Sequence, residues 1–483
     1  MSTTYYLDTQ GNDTHTGKTP QQAWHSLERL KHIPLQPGDQ IILTEGQEFH
    51  GGLPLSADRG GTPQKPIVIR GSGARRATII ASGTPAIEAH AGGIEIRDLI
   101  LKSSPAAAPP EKGKEVAGLR FYTVDPHGKV FKHVRIERVA VTGFSGDGIS
   151  IGSWHDSQPG FDDVILSHVD ASGNGGSGAY FFGKRDREKP KGSYPHRNVR
   201  ITDCTFSHNA SGTGLVLSGV QDTVVEYCLA SKNNGAGGGV GIWAFDSQRV
   251  RFHHCIVEGT QSRGKDGGGF DLDGGCIDCV IERCLAYHND GPGFMHCDYP
   301  TAGHTKGNVI RSCISIDDGR KTEQTPAFGF GFVAWGSGLE ECRLERNLVI
   351  VTKSFTGKES EGALFITRIP GYGGQGDDMH IKGCLAKDNI VVVTGKDVPL
   401  LMLATSPAWH ESRYSSTGIT MKRGECPPLL WMARSATAHS LPGAKQPGKN
   451  PIRAERPRLS LCHRTIPKRP RVHWMSGAYS SWL

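Results

Sequence analysis

Short segments of alternating apolar residues recur along this chain, each closing on the same kind of residue, and that repetition limits the possible folds more than any single motif. In order they read VRITDC ending at Cys204, TVVEYC at Cys228, VRFHHC at Cys255, CVIERC at Cys284, NVIRSC at Cys313, CRLERN at Asn347 and MHIKGC at Cys384. VRIERV and VILSHV, ending at Val139 and Val169, have the same shape with valine in the marked place. Between Cys204 and Cys313 the steps are 24, 27, 29 and 29 residues, too long for a hairpin and too irregular for a propeller blade. A unit of one short strand pattern and glycine-rich turns, with no helical stretch inside it, cannot bury its apolar face alone and must stack on its neighbours. The spacing predicts an all-β parallel β-helix in which each strand pairs with its equivalent one coil on, roughly 4.8 Å away.

Val199, Ile201, Val224, Val250, Phe252, Val280 and Val309 alternate with polar residues at period two, the pattern of a half-buried strand. The marked cysteines are expected to be reduced thiols stacked along the axis, because a disulfide needs Cβ atoms about 3.5 to 4.5 Å apart and a ladder holds them slightly farther and wrongly directed. Cys276 and Cys279, in CIDC, have the spacing of half a zinc site, but no second CxxC or CxxH completes it. A second strand follows a turn in each unit, as in NGGSGAYFFG, NASGTGLVLSG and GGGFDLDGG. Glycine there, and Asn174, Asn209, Asn233 and Asn289, are expected at corners that need left-handed backbone.

No run approaches the eighteen apolar residues of a membrane-spanning helix, and Met1 to Tyr6 lacks the charged start and apolar stretch of a secretory signal. At residues 1–60 a cap and first strands are expected: Thr19 with Gln22 fits a capping box, Pro20 a first helical position, and Ala23, Leu27 and Leu30 one apolar stripe. Residues 61–403 read as the solenoid. From 404 to 483 the character changes: 13 Lys and Arg stand against 3 Asp and Glu, and only 5 of the 64 glycines fall there. The break interrupts a strand pattern, so the expectation is an out-of-frame or disordered tail, and the overall charge of +7 says nothing about partners. A basic run such as IPKRPRVHW otherwise suits nucleic acid or an acidic polymer.

The opening YYLDTQGNDTHTGKTPQQAWHSL with PGDQIILTEGQEFHGGL resembles the start of right-handed parallel β-helix proteins of the pectin-lyase-like superfold, which act mostly on polysaccharides. DGGGFDLDGGCIDCVIERCLAYHNDGPGFMHCDY, with SIDDGR, resembles the central coils of a glycoside-hydrolase-like group within it, and the likeness covers residues 4 to 400. It implies a polysaccharide or oligosaccharide substrate, a monomer without membrane or nucleic-acid partner, and action outside the cytoplasm if such a polymer is the substrate.

Acidic residues concentrate on three consecutive units: Asp266, Asp271 and Asp273, then Asp290 and Asp298, then Asp317 and Asp318. Coil stacking brings carboxylates of neighbouring coils near the separations that glycosidases use. In FDLD, Asp271 and Asp273 share the face opposite Phe270 and Leu272. Two carboxylates on one face raise each other's pKa, which yields an acid beside a base or nucleophile. The expected catalytic set is therefore Asp271, Asp273, Asp317, Asp318 and Asp290. His296, Tyr299, His288, Trp243, Trp335 and Asp298 are candidates for sugar contacts, since aromatic faces suit C–H surfaces and polar groups suit hydroxyls.

The GFDL stretch also resembles the family-nine pectate lyases, in which aspartates hold calcium and a lysine one coil on takes the proton. Met295 fills that lysine place here, so elimination would fall to His296 or Lys306. No cofactor is expected beyond a possible calcium ion at Asp266. A third reading is a binding or adhesion rod without catalysis, but the units lengthen around the acidic cluster, as groove walls would.

Overall fold

In a computed structural model of the chain, the described residues are 2–104, 111–184, 194–236, 239–262, 266–298, 304–320, 329–334, 338–352, 364–368, 380–395, 400–404, 415–417 and 420–423. Three long parallel sheets run through them, of fourteen, twelve and thirteen strands, with a short sheet of three beside them. In each sheet a strand pairs with the strand three places on in the chain over most of the length, which is one coil per three strands. One coil runs from Phe270–Leu272 in the second sheet to Val280–Glu282 in the first, Leu285–Tyr287 in the third, and back to Phe294–Cys297 in the second. The all-β parallel β-helix read from the sequence is the architecture found.

Inward side chains form ladders. Phe270, Phe294 and Phe330 stack with centroids 5.0 and 4.6 Å apart and planes within 5°. The cysteines form another ladder: Cys204, Cys228, Cys255, Cys284 and Cys313 are buried in the core, and all ten described cysteines are free thiols. Each sits just after a residue of left-handed backbone. Asp203, Tyr227, His254, Arg283 and Ser312 have φ of 52–55°, as do Arg138 and His168 ahead of the marked valines at 51° and 53°. A non-glycine residue there costs roughly 1 kcal/mol, which the packed ladder behind it must offset on every coil.

At the next corner Asn174, Asn209, Asn233 and Asn289 are structural, but not by taking positive φ themselves. The residue before each does so: Gly173 at 72°, His208 at 55°, Lys232 at 52° and His288 at 57°. The asparagines instead hydrogen bond between coils. Asn209 accepts from the backbone N–H of Asn174 at 3.1 Å, and Asn233 from that of Asn209 at 3.0 Å. Every side-chain N–H₂ in turn donates to a backbone carbonyl one coil back, at 2.8–3.4 Å.

The amino end differs from the expected helix. Pro20–Gln22 is a single 3₁₀ turn, Thr19 makes no side-chain cap, and the helix proper is one turn at Glu28–Lys31. Ala23 leaves the turn extended, with ψ of 148°, because Asn12 and Trp24 tie this stretch to the first strand: Asn12 N–H donates to Ala23 O, and Trp24 N–H to Tyr6 O. Ala23, Leu27 and Leu30 are buried nonetheless, as the stripe requires. Strands of the three sheets already lie in the first 60 residues, from Thr4–Leu7, and others at Ser415–Thr417 and Thr420–Arg423 follow residue 403. The remainder of the 404–483 segment lies outside the described residues.

Candidate functional site

Along the second sheet, register places the outward residues in two columns. The first runs Glu88, Arg120, Ser150, Tyr180, Val216, Trp243, Asp271 and Met295. Tyr122, Gly152, Phe182, Ser218 and Phe245 lead, two residues along, to Asp273 and Cys297 in the other. Phe270 and Leu272 point into the core, so Asp271 and Asp273 leave the strand together on the outer face, as alternation requires. They meet within one strand rather than across adjacent coils. One oxygen of each and the Cys297 Sγ lie within 4.8 Å of one another.

The electrostatics of this pair are unusual for carboxylates. Asp271 is 3% exposed, its Oδ1 has no hydrogen-bond partner among the described residues, and burial, then the charges of Asp273 and Asp266, push its carboxyl well above the ordinary range. Asp273 is pushed up to about 6, chiefly by burial, against the pull of a hydrogen bond from the Gly274 N–H at 2.7 Å and of Cys297. Cys297, buried beside both, is itself raised by burial and by their charges. A neutral acid and a readily ionised carboxylate thus share one spot.

The other acidic residues fall into two groups. Asp266, at φ of 58°, and Asp298, buried with its Oδ2 accepting from Gly338 N–H at 2.6 Å, both lie near enough to raise Asp273. Asp317 and Asp318, expected in the catalytic set, sit instead at the corner after the third-sheet strand Ile314–Ile316. Asp317 takes the left-handed corner position, with φ of 49°, and accepts from Thr352 N–H and Oγ1 at 2.6 and 2.7 Å. Asp318 occupies the next rung of the asparagine ladder: its Oδ1 accepts from Asn289 N–H and Nδ2 at 3.0 and 2.8 Å, and Ser315 Oγ meets Oδ2 at 2.7 Å. Asp290 follows the same corner one coil earlier, where it accepts from Ser262 N–H at 2.9 Å and pairs with Arg320 at 3.1 Å.

Among the sugar-contact candidates, Trp243 belongs to the outer column directly beside Asp271, and its Nε1 has no hydrogen-bond partner among the described residues. His296 does not: Phe294 points inward, so His296 does too, fully buried against Phe332 with centroids 5.3 Å apart and its Nε2 on Arg343 O at 3.0 Å. Burial holds its pKa down at about 4. His288 is an exposed corner residue packed edge-on against Tyr287 at 5.5 Å, on the third-sheet side. Tyr299 and Trp335 lie outside the described residues. Cys276 and Cys279 are core residues. Missed in the sequence were Cys297 and the aromatic positions Tyr122, Tyr180, Phe182 and Phe245; counting by two from the FDLD strand to its register partners would have found them.

A sequence-family model described as a right handed beta helix region matches residues 127–293. No curated protein matches. Among solved structures, a GH136 lacto-N-biosidase from Eubacterium ramulus is similar at 15% identity and a TM-score of 0.57, over 87% of this chain and 68% of that one. The catalytic domain of a GH87 alpha-1,3-glucanase in complex with nigerose is similar at 12% identity and a TM-score of 0.50, over 86% and 69%. Pectate lyase Pel9A is 12% identical at a TM-score of 0.40, over 86% and 81%. With the sheet register, the family model and the first two of these structures show a right-handed parallel β-helix.

Proposed function

We propose that this protein is a polysaccharide-processing enzyme, a glycoside hydrolase in which Asp271 donates a proton and Asp273 acts as the partner carboxylate. The observation that carries the reading is the Asp271 and Asp273 pair: two side chains on the outer face at the end of one strand, without a cation beside them among the described residues, one carboxyl pushed well above the ordinary range and the other to about 6. Asp271 protonates the glycosidic oxygen as its bond to the anomeric carbon breaks, while Asp273 supplies negative charge to that carbon. Their oxygens lie within 4.8 Å, short of the roughly 6.5–9.5 Å that leaves room for an attacking water, so Asp273 bonds the anomeric carbon as nucleophile, and water, giving a proton to the Asp271 carboxylate, then displaces it with configuration retained. The two similar structures with the higher TM-scores are named as glycoside hydrolases, which supports the class.

Elimination fits less well. Met295 stands in register beside Asp271 and has no basic atom. His296 faces the core, and Lys306 pairs with Glu340 and Glu341 at 3.3 and 3.5 Å. Two carboxylates and a thiol are also a poor set for calcium, which takes six to eight oxygen ligands.

Incubation with a panel of neutral and uronic polysaccharides tests the proposal. New reducing ends without the ultraviolet absorbance of an unsaturated uronide are expected; that absorbance would replace hydrolysis with elimination. Asp271→Asn and Asp273→Asn should each lower turnover by about 10²–10⁴ without lowering Tm. Full activity in both would remove them from the chemistry.

A further inference from the structure

We propose that the outer face of the second sheet, from the Asp271 coil back to the Arg120 coil, is a row of subsites for an extended neutral glycan. This rests on reading that face as the groove of the proposed enzyme, and it adds the substrate's charge class and the direction in which the chain runs.

The two outward columns change character along the axis. Trp243 and Phe245 lie one coil from the acidic pair, Tyr180 and Phe182 three coils away, and Tyr122 five. At roughly 4.8 Å per coil the rings extend about 24 Å from the carboxylates, room for several sugar rings rather than one. Tyr180 and Phe182 lie 5.2 Å apart, and Phe182 reaches across to Tyr122 at 6.1 Å. Gly152 makes that reach possible: a Cβ there would stand 2.1 Å from the Phe182 ring, so the ring lies flat over the backbone of the coil between. At the edge of the same strand Trp154 is 57% exposed, beside Val124 at 50% on the neighbouring coil. A partly exposed aromatic row is an apolar platform for the C–H faces of sugars.

Charge selects the occupant. On the described positions of the two columns from residue 88 to residue 297, Arg120 is the one cation. It is already engaged, 3.3 Å from Glu88 and over the Tyr122 ring at 4.4 Å. Lys184, which follows the strand of Tyr180 and Phe182, is likewise engaged, with Asp156, and the remaining charged groups of the strip are acids: Glu88, Asp271 and Asp273 in the columns, and Asp147, whose charge is felt by Tyr180. A polyuronate would meet like charge along the strip with no free cation among its described residues to receive the carboxylates. A neutral glycan meets partly exposed rings without a charge to oppose it.

Native electrophoresis of the Asp271→Asn protein through gels cast with soluble starch, galactomannan, mixed-linkage glucan, polygalacturonate or alginate separates the outcomes without requiring turnover. At least one neutral polymer should retard it and neither polyuronate should. Tyr180→Ala and Gly152→Ala should each weaken that retardation about tenfold, and Trp154→Ala, which removes an exposed side chain, about threefold with no change in Tm. Retardation by polyuronates alone, by nothing, or equally in wild type and all three variants would overturn the subsite row. If retardation follows this pattern while Asp271→Asn hydrolyses as fast as wild type, the row stands and the assignment of the acid falls.

Discussion

The outer faces of the first and second sheets share one backbone geometry and one core, yet their buried carboxylates are treated in opposite ways. On the first sheet the carboxylates have cations. Glu282 lies between Arg251 and Arg311, Asp163 takes Arg135 at 2.7 Å, and Asp222 takes Arg249 at 2.6 Å, while at the corner after this sheet Asp98 takes Arg138 at 2.6 Å. On the second sheet Asp271 and Asp273 have rings, a thiol and each other. The pKa directions follow: burial pushes the Glu282 carboxyl up, but its two arginines outweigh that and hold it low, whereas Asp271 and Asp273 end high. A solenoid repeats its coil along the axis, and at the proposed site the repeat's charge pairing is withheld.

The largest expected effect separates the faces by activity. Turnover should fall by about 10²–10⁴ in Asp273→Asn, while Glu282→Gln should keep full activity and lose about 2 kcal/mol of stability, measured by denaturant unfolding. Equal loss of activity in both would erase the contrast.

Second, the faces should answer pH with opposite sign. A lowered carboxyl such as Glu282 stabilises the fold above its unfolded pKa, and this is lost as pH falls through its folded value. A raised one such as Asp273 or Asp318 favours the fold at low pH, and this is lost as pH rises through about 6 and about 7. Activity, which needs Asp273 ionised, should fall on the acid side near pH 6, read from kcat/KM profiles.

Asp318→Asn tests the same linkage at a third place. An amide there continues the asparagine ladder with no charge to bury, so the variant should gain about 1–3 kcal/mol at pH 8, shrinking toward pH 5, with turnover unchanged. A loss of stability at pH 8 would mean that the corner uses the carboxylate. The smallest effect belongs to Arg138→Ala: its pair with Asp98 is half exposed, and unfolding should shift by less than about 1 kcal/mol.

Much of this was legible from residues alone. The cysteine spacing gave the coil, and period-two alternation put Asp271 and Asp273 on one outer face. The same rule, carried to Phe294-Met295-His296, would have turned His296 inward, and aligning YHND with IDDG would have placed Asp318 on the rung of Asn289. What spacing could not reveal was which turns carry left-handed backbone, because Asp, His, Arg and Lys take it here as readily as glycine.

Sequence by itself determined the repeat, the core ladders and the alternation of faces, since these are local patterns that every coil restates. Only the tertiary structure decided which side chains from distant coils share a column. Register joins Tyr122 to Asp273 through residues more than a hundred positions apart, and the burial that raises Asp271 exists only once the coils are stacked.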